Sequence, residues 1–150
     1  MTADPQRFTP EEKERRLAAA NIDRPVMRMF GLRFVDTEPG YARLEFPHSE
    51  NFANRSGALH GGTSATLVDE AMARALSAAL PEGTGQTAIE LKVNFVSPGT
   101  GGTLVAEGRV VRAGGRVAVV EGKLMDGAGT VVAQALATYA IFRRKGGGGD

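Results

Sequence analysis

The stretch Gly61-Gly62-Thr63-Ser64-Ala65-Thr66-Leu67-Val68-Asp69-Glu70-Ala71-Met72-Ala73-Arg74-Ala75-Leu76-Ser77-Ala78-Ala79-Leu80 decides the fold. Val68, Met72, Ala75 and Ala79 recur at helical spacing, and Ala65, Leu76 and Leu80 carry apolar character around the other side. A helix apolar over most of its circumference is a buried helix, and its many alanines let neighbouring backbone come close. Asp69 and Glu70 interrupt the run. Adjacent helical residues point about 100° apart, so the two acids cannot face the same surroundings. One is readily solvated. The other lies nearer an apolar wall, where a carboxylate costs stability unless something compensates, and such groups cluster at functional sites. Periodicity alone also allows both acids to sit on an exposed stripe.

Upstream of this helix, Thr9, Pro10 and Glu12 form a helix start with a capping box, opening a charged helix that packs through Leu17 and nearby alanines. Pro25 to Phe30 makes a second short helix ending at Gly31. Leu32–Thr37 and Tyr41–Phe46 read as strands around a Pro39-Gly40 turn, and Pro47 to Leu59 as loop. Downstream the pattern is all strand: Ala88–Val96, Thr103–Arg112, Arg116–Met125 and Thr130–Arg143, the last three joined by short turns as a meander. Short connections make antiparallel neighbours. The expected class is α+β, an antiparallel sheet curled around one long central helix. Residues 1–24 form an N-terminal helical extension, 25–143 the main domain, and 144–150 a disordered tail.

Composition removes several classes of function. The chain has 150 residues and a formal net charge of +1, with no basic stripe that would point to nucleic acid. It has no cysteine, which excludes disulfides, a thiolate nucleophile and Cys-ligated zinc. Its two histidines and scattered acids match no metal-ligand spacing. No signal segment and no membrane span are evident, which fits a cytoplasmic protein without a membrane partner. The glycines of Gly83-Thr84-Gly85-Gln86-Thr87-Ala88 mimic a dinucleotide fingerprint, but they follow a helix and precede a strand, the wrong context. Ser64, in Gly62-Thr63-Ser64-Ala65-Thr66, lacks the second glycine of a nucleophile elbow. Met72 reads as core and His48 as surface.

Asn54-Arg55-Ser56-Gly57-Ala58-Leu59-His60-Gly61-Gly62 leads into the central helix, and Leu67-Val68-Asp69 follows on it. This combination, with the later Lys92-Val93-Asn94-Phe95-Val96-Ser97-Pro98, resembles the PaaI-like branch of the hot dog fold thioesterases over about residues 25 to 143. The resemblance implies an acyl-CoA thioesterase in which CoA is part of the substrate and no cofactor is used. It makes Asp69 the general base or nucleophile and the Gly61 N–H a donor to the thioester oxygen. Asn54 would hold the attacking water or the thioester, and His60 would brace the loop or polarise the carbonyl. An assisting hydroxyl at the start of the next strand falls on Thr87, or is missing if the position is Ala88. Dimers, or dimers paired into a homotetramer, are implied on the same ground.

The chemistry has a physical basis in the residues. A helix N-terminus offers free N–H groups and the positive end of a dipole, and Gly61-Gly62 lets a substrate carbonyl approach. Gly61 and Asp69, however, are about 12 Å apart along the axis, whereas one reacting carbon must lie about 3 Å from both. A composite site across a twofold dimer interface is therefore expected. Arg116 is a candidate for the CoA phosphates, against an ordinary solvated arginine. Met27, Phe30 and Leu76 are candidates for the acyl pocket. A hot dog hydratase and a non-catalytic acyl-CoA binding protein stand as alternatives. The missing Asp-x-x-x-x-His spacing argues against the first, and the presence of Asp69 against the second.

Overall fold

The computed structural model describes residues 7–144. Helix α1 spans Pro10–Ala20 and α2 Pro25–Phe30; strands β1 (Arg33–Glu38) and β2 (Tyr41–Pro47) precede the long helix α3, Gly61–Ala79. Four strands complete the chain: β3 (Thr84–Phe95), β4 (Thr103–Ala113), β5 (Val117–Met125) and β6 (Val131–Arg143). They form one six-stranded sheet in the order β1-β2-β4-β5-β6-β3, every pair antiparallel. The strand that leaves the helix thus takes the far edge and pairs with the last strand, as expected of an α+β hot dog fold.

Local chemistry accounts for the ends of the elements. The Thr9 hydroxyl accepts from the Glu12 N–H at 3.2 Å, and Pro10 occupies the first turn of α1. The reciprocal half of the capping box does not dominate: the Glu12 carboxylate accepts from Arg16 at 2.8 Å and Arg15 at 3.2 Å. Lys13 fastens α1 to β1 through Asp36 at 2.9 Å and Glu38 at 2.5 Å, and Ala20 joins the core, so the N-terminal extension is packed onto the domain. Gly31 ends α2 in the left-handed region at φ 65°, its N–H on the Met27 carbonyl.

The buried side of α3 carries Ser64, Leu67, Val68, Ala71, Met72, Ala75 and Leu76. The sequence places Ala79 on that side, but it is exposed, because the helix emerges from the sheet in its last turn. The segment 47–59 also holds more structure than a plain loop. It includes a 3-10 turn, Glu50–Phe52, and a bridge between Ala53 and Leu59. Phe52 there stacks on Phe30 at 4.8 Å and meets Phe46 edge-on at 5.5 Å.

Two boundaries differ from the sequence reading in ways that matter. β3 begins at Thr84, not Ala88, so Thr84 to Ala88 belong to the strand and cannot form a phosphate-binding turn. Arg144 is held by its N–H on the Gly83 carbonyl at 2.8 Å. The rest of the expected tail lies outside the described residues. No helix among the described residues is long and apolar enough to cross a membrane.

The helix lies hard against the sheet at Gly108 of β4. A Cβ there would stand 2.4 Å from the Ala71 carbonyl oxygen and 2.7 Å from the Met72 Cα, both helix backbone that cannot rotate away. Gly108→Ala should therefore destabilise the fold by about 1–3 kcal/mol, read as a lower urea midpoint. An unchanged midpoint would show that α3 is free to move off the sheet.

Candidate active site

Asp69 projects from the middle of α3 and is half-buried. Its Oδ1 accepts a hydrogen bond at 2.8 Å from the Tyr139 hydroxyl on β6. Tyr139 is 1% exposed. Burial, and then the adjacent Asp69 charge and their hydrogen bond, push its pKa well above the usual phenol range, so it remains a donor. Glu70 is also half-buried, and burial raises its carboxyl pKa while Arg24 and Arg74 oppose that shift. Neither acid of the pair lies on a fully exposed stripe, and Asp69 is the one given a fixed partner.

The start of α3 is built by His60 and Asn54. His60 caps the helix: its Nδ1 accepts from the Gly62 N–H at 3.0 Å. That bond puts the proton of the neutral ring on Nε2. It also occupies the Gly62 N–H, which leaves the Gly61 N–H as the open donor at the helix start. The Gly61 N–H has no partner among the described residues. Asn54 makes an Asx-type turn, its Oδ1 accepting from the Ser56 N–H and hydroxyl at 2.9 and 2.7 Å and from the Ala58 N–H at 3.2 Å. Its amide nitrogen is left to donate. Asn54, Gly61, Ser64, Phe95, Ser97 and Val132 line a cavity of about 360 Å³, with the Phe95 ring covering Gly61.

Asp69 is not among the residues lining this cavity. One chain thus presents the two halves of the expected chemistry at separate points on one helix. Strand register settles which residue faces Asp69 from β3. Ala88 pairs with Tyr139 and Thr87 with Ala140, with a bulge between Ala88 and Glu90. Paired residues share a face of the sheet, so Ala88 looks toward the helix and Thr87 away from it. Within one chain the Thr87 hydroxyl therefore does not face Asp69; the hydroxyl that reaches it is that of Tyr139.

The other candidate residues lie elsewhere in the fold. Met27 and Leu76 are buried in the core, and Phe30 is held in its aromatic cluster, so none of the three lines the cavity at Gly61. Exposed Arg116 lines a different hollow with Leu80–Thr84, beyond the other end of α3. His48 is not a plain surface residue: its Nε2 lies 3.3 Å from the Gly57 carbonyl oxygen and its Nδ1 is buried with no partner among the described residues. No group of three or more potential ligands able to hold a metal occurs among the described residues. Tyr139 was not singled out from the sequence. Its signal was faint: one polar aromatic at an inward position of the last strand, where a buried hydroxyl needs a partner.

A family model described as the thioesterase superfamily matches residues 56–133. A protein of Saccharolobus solfataricus that carries a provisional esterase name is 36% identical over 118 residues, 79% of this chain and 78% of that protein. Among solved structures, a thioesterase family protein from Silicibacter pomeroyi aligns with a TM-score of 0.81 at 25% identity, over 87% of this chain and 98% of that one. The E. coli PaaI protein from the phenylacetic acid degradation operon aligns with a TM-score of 0.78 at 22% identity, over 89% and 94%. At that identity the likeness is one of fold.

The buried tyrosine makes a prediction about alkaline stability. The folded state holds the Tyr139 proton above the ordinary phenol pKa of about 10, so the unfolded chain releases it first. The associated stability is full below pH of about 10 and is lost as pH rises beyond it. Tyr41, pushed up to about 12 mainly by burial and then by its bond to Glu107, acts in the same sense. Neither tyrosine should ionise near pH 10 in the folded protein, and Tyr139→Phe should lessen the alkaline loss of stability. Tyrosinate absorbance rising near pH 10 without unfolding would contradict the assignment.

Proposed function

The chain belongs to the thioesterase superfamily and is a hydrolase of thioester bonds, and from that premise we propose that it hydrolyses a small acyl- or aryl-acyl-CoA to the free acid and CoA. The supporting observation is the half-buried Asp69, held through one oxygen by Tyr139, on the same helix that offers an unpartnered Gly61 N–H to a cavity.

The second oxygen of Asp69 takes a proton from water as the oxygen of that water adds to the thioester carbon. The oxyanion that forms is met by the Gly61 N–H, a fixed dipole needing no reorganisation, with the Asn54 amide nitrogen at the same cavity. Collapse breaks the carbon–sulfur bond, and the leaving thiolate recovers the proton from Asp69. Direct attack by the carboxylate is the other route open to the same oxygen, giving a mixed anhydride that water then cleaves. Exposed His60 keeps the helix start in shape and presents its Nε2–H outward.

The two halves meet if Gly61 comes from one copy and Asp69 from another. Support comes from β3, which is the last strand of the sheet and carries exposed Ile89 at its bulge and exposed Phe95 at its end, with exposed Val96 following. An unpaired apolar edge of this kind invites a partner strand. A second copy pairing there about a twofold axis sets two α3 helices antiparallel, in a dimer or a dimer of dimers.

Thiol release from a panel of acyl-CoA substrates tests the reading. Asp69→Ala should lower kcat/KM by about 10²–10⁴-fold with the oligomer intact by light scattering. Tyr139→Phe should cause a smaller loss, of about tenfold, as the carboxylate loses a hydrogen bond made to its charged form. Equal turnover by wild type and Asp69→Ala would remove Asp69 from the mechanism. CoA esters that bind without turnover would favour a non-catalytic binding protein.

A further inference from the structure

One hollow away from this site is lined by charge of nearly a single sign. It lies between α1, the C-terminal half of α3 and the end of β6, with a volume of about 380 Å³. Arg15, Arg16, Arg74 and Arg144 line it against one carboxylate, Glu82. Gathering four guanidiniums around a concavity is unfavourable by mutual repulsion unless an anion offsets it.

The charges inside the chain offset only part of it. Arg15 and Arg16 share the Glu12 carboxylate at the outer wall. Arg74 has no ion pair or hydrogen bond among the described residues; it rests over the Phe34 ring at 5.4 Å. Burial, then Arg24, destabilises its charge, while Glu70 opposes this without forming a salt bridge. Arg144 is pinned by its backbone beside Gly83 and leaves its side chain unpaired among the described residues. The hydroxyls of Ser77 and Thr84 in the same wall are turned onto the carbonyls of Ala73 and Pro81, so guanidinium groups are the free donors here. Their planar forks match phosphate oxygens in pairs, and several of them together suit more than one phosphate charge.

We propose that this hollow binds the phosphate groups of a nucleotide-class ligand. Its size is that of a small-molecule site. Arg74 lies within the residues 56–133 that match the thioesterase superfamily, whereas Arg15, Arg16 and Arg144 lie outside them. Two sources present the same chemistry. One is the nucleotide tail of the CoA carrier, since Ser77 lies about 12 Å along α3 from Asp69; this source rests on the thioesterase reading. The other is a free nucleotide, which does not.

Calorimetric titration of the full chain with inorganic pyrophosphate and with CoA tests the site without requiring turnover. Both should bind, more weakly as salt rises, and both should weaken by about tenfold or more in Arg74→Gln and Arg144→Gln. Arg144 is exposed, so its variant tests the pocket even if the Arg74 variant folds poorly. If the carrier tail is the occupant, the preference for acyl-CoA over the phosphate-free acyl-pantetheine collapses in both variants. If the occupant is a free nucleotide, pyrophosphate binds and is lost in the variants while that preference persists. Absence of pyrophosphate and CoA binding to the wild type, or binding equal in wild type and variants, overturns the proposal. Failure of thioester hydrolysis alone leaves the titration result standing and so is told apart from it.

Discussion

Everything in this molecule follows from the need to bury α3. A helix lined with Leu67, Val68, Met72 and Leu76 cannot stand in water, and one antiparallel sheet must curl far enough to cover it. Contact is close enough that Gly108 has no room for a methyl group. The same wrapping carries Tyr139 on β6 up to Asp69, so that a carboxylate in a largely apolar helix gains a donor and a fixed direction. Stability and chemistry thus share one cause: the helix is buried against the sheet that holds its acid.

Much of this was legible in the residues because the signals were local. The Thr9-Pro10 start of α1, the Gly31 end of α2, the Pro39-Gly40 turn and the boundaries of α3 all rest on dihedral preferences and caps that a few neighbouring residues specify. The motif from Asn54 to Gly62 marked where the helix begins, though the 3-10 turn and bridge within 47–59 were not read from it. What escaped was set at a distance. The four extra residues at the start of β3 are polar and glycine-bearing, and they become strand only because β6 pairs with them. The bulge after Ala88, which turns Thr87 outward, has no local signature. The Tyr139–Asp69 bond joins residues 70 positions apart, a contact no periodicity encodes.

The proposed division of the site has a physical logic. The helix N-terminus is the best place for an oxyanion, because its N–H groups are unpaired and its dipole is positive there. A general base needs the opposite surroundings, away from that positive end and supported by a neutral donor. One helix supplies both environments, but two turns apart, so a single copy cannot apply them to the same atom. A twofold axis that runs a second α3 antiparallel to the first removes the conflict, and the free edge of β3 is where such a partner would join.

Hybrid complementation tests this division most directly. Asp69→Ala and Gly61→Val, the latter adding bulk beneath the Phe95 ring at the oxyanion donor, should each inactivate the homo-oligomer. A hybrid dimer holding one copy of each variant pairs an intact Gly61 with an intact Asp69 at one of its two sites. The account predicts recovery of about half the wild-type turnover in purified hybrids. Hybrids as inactive as their parents would place both groups' action within one copy and contradict it.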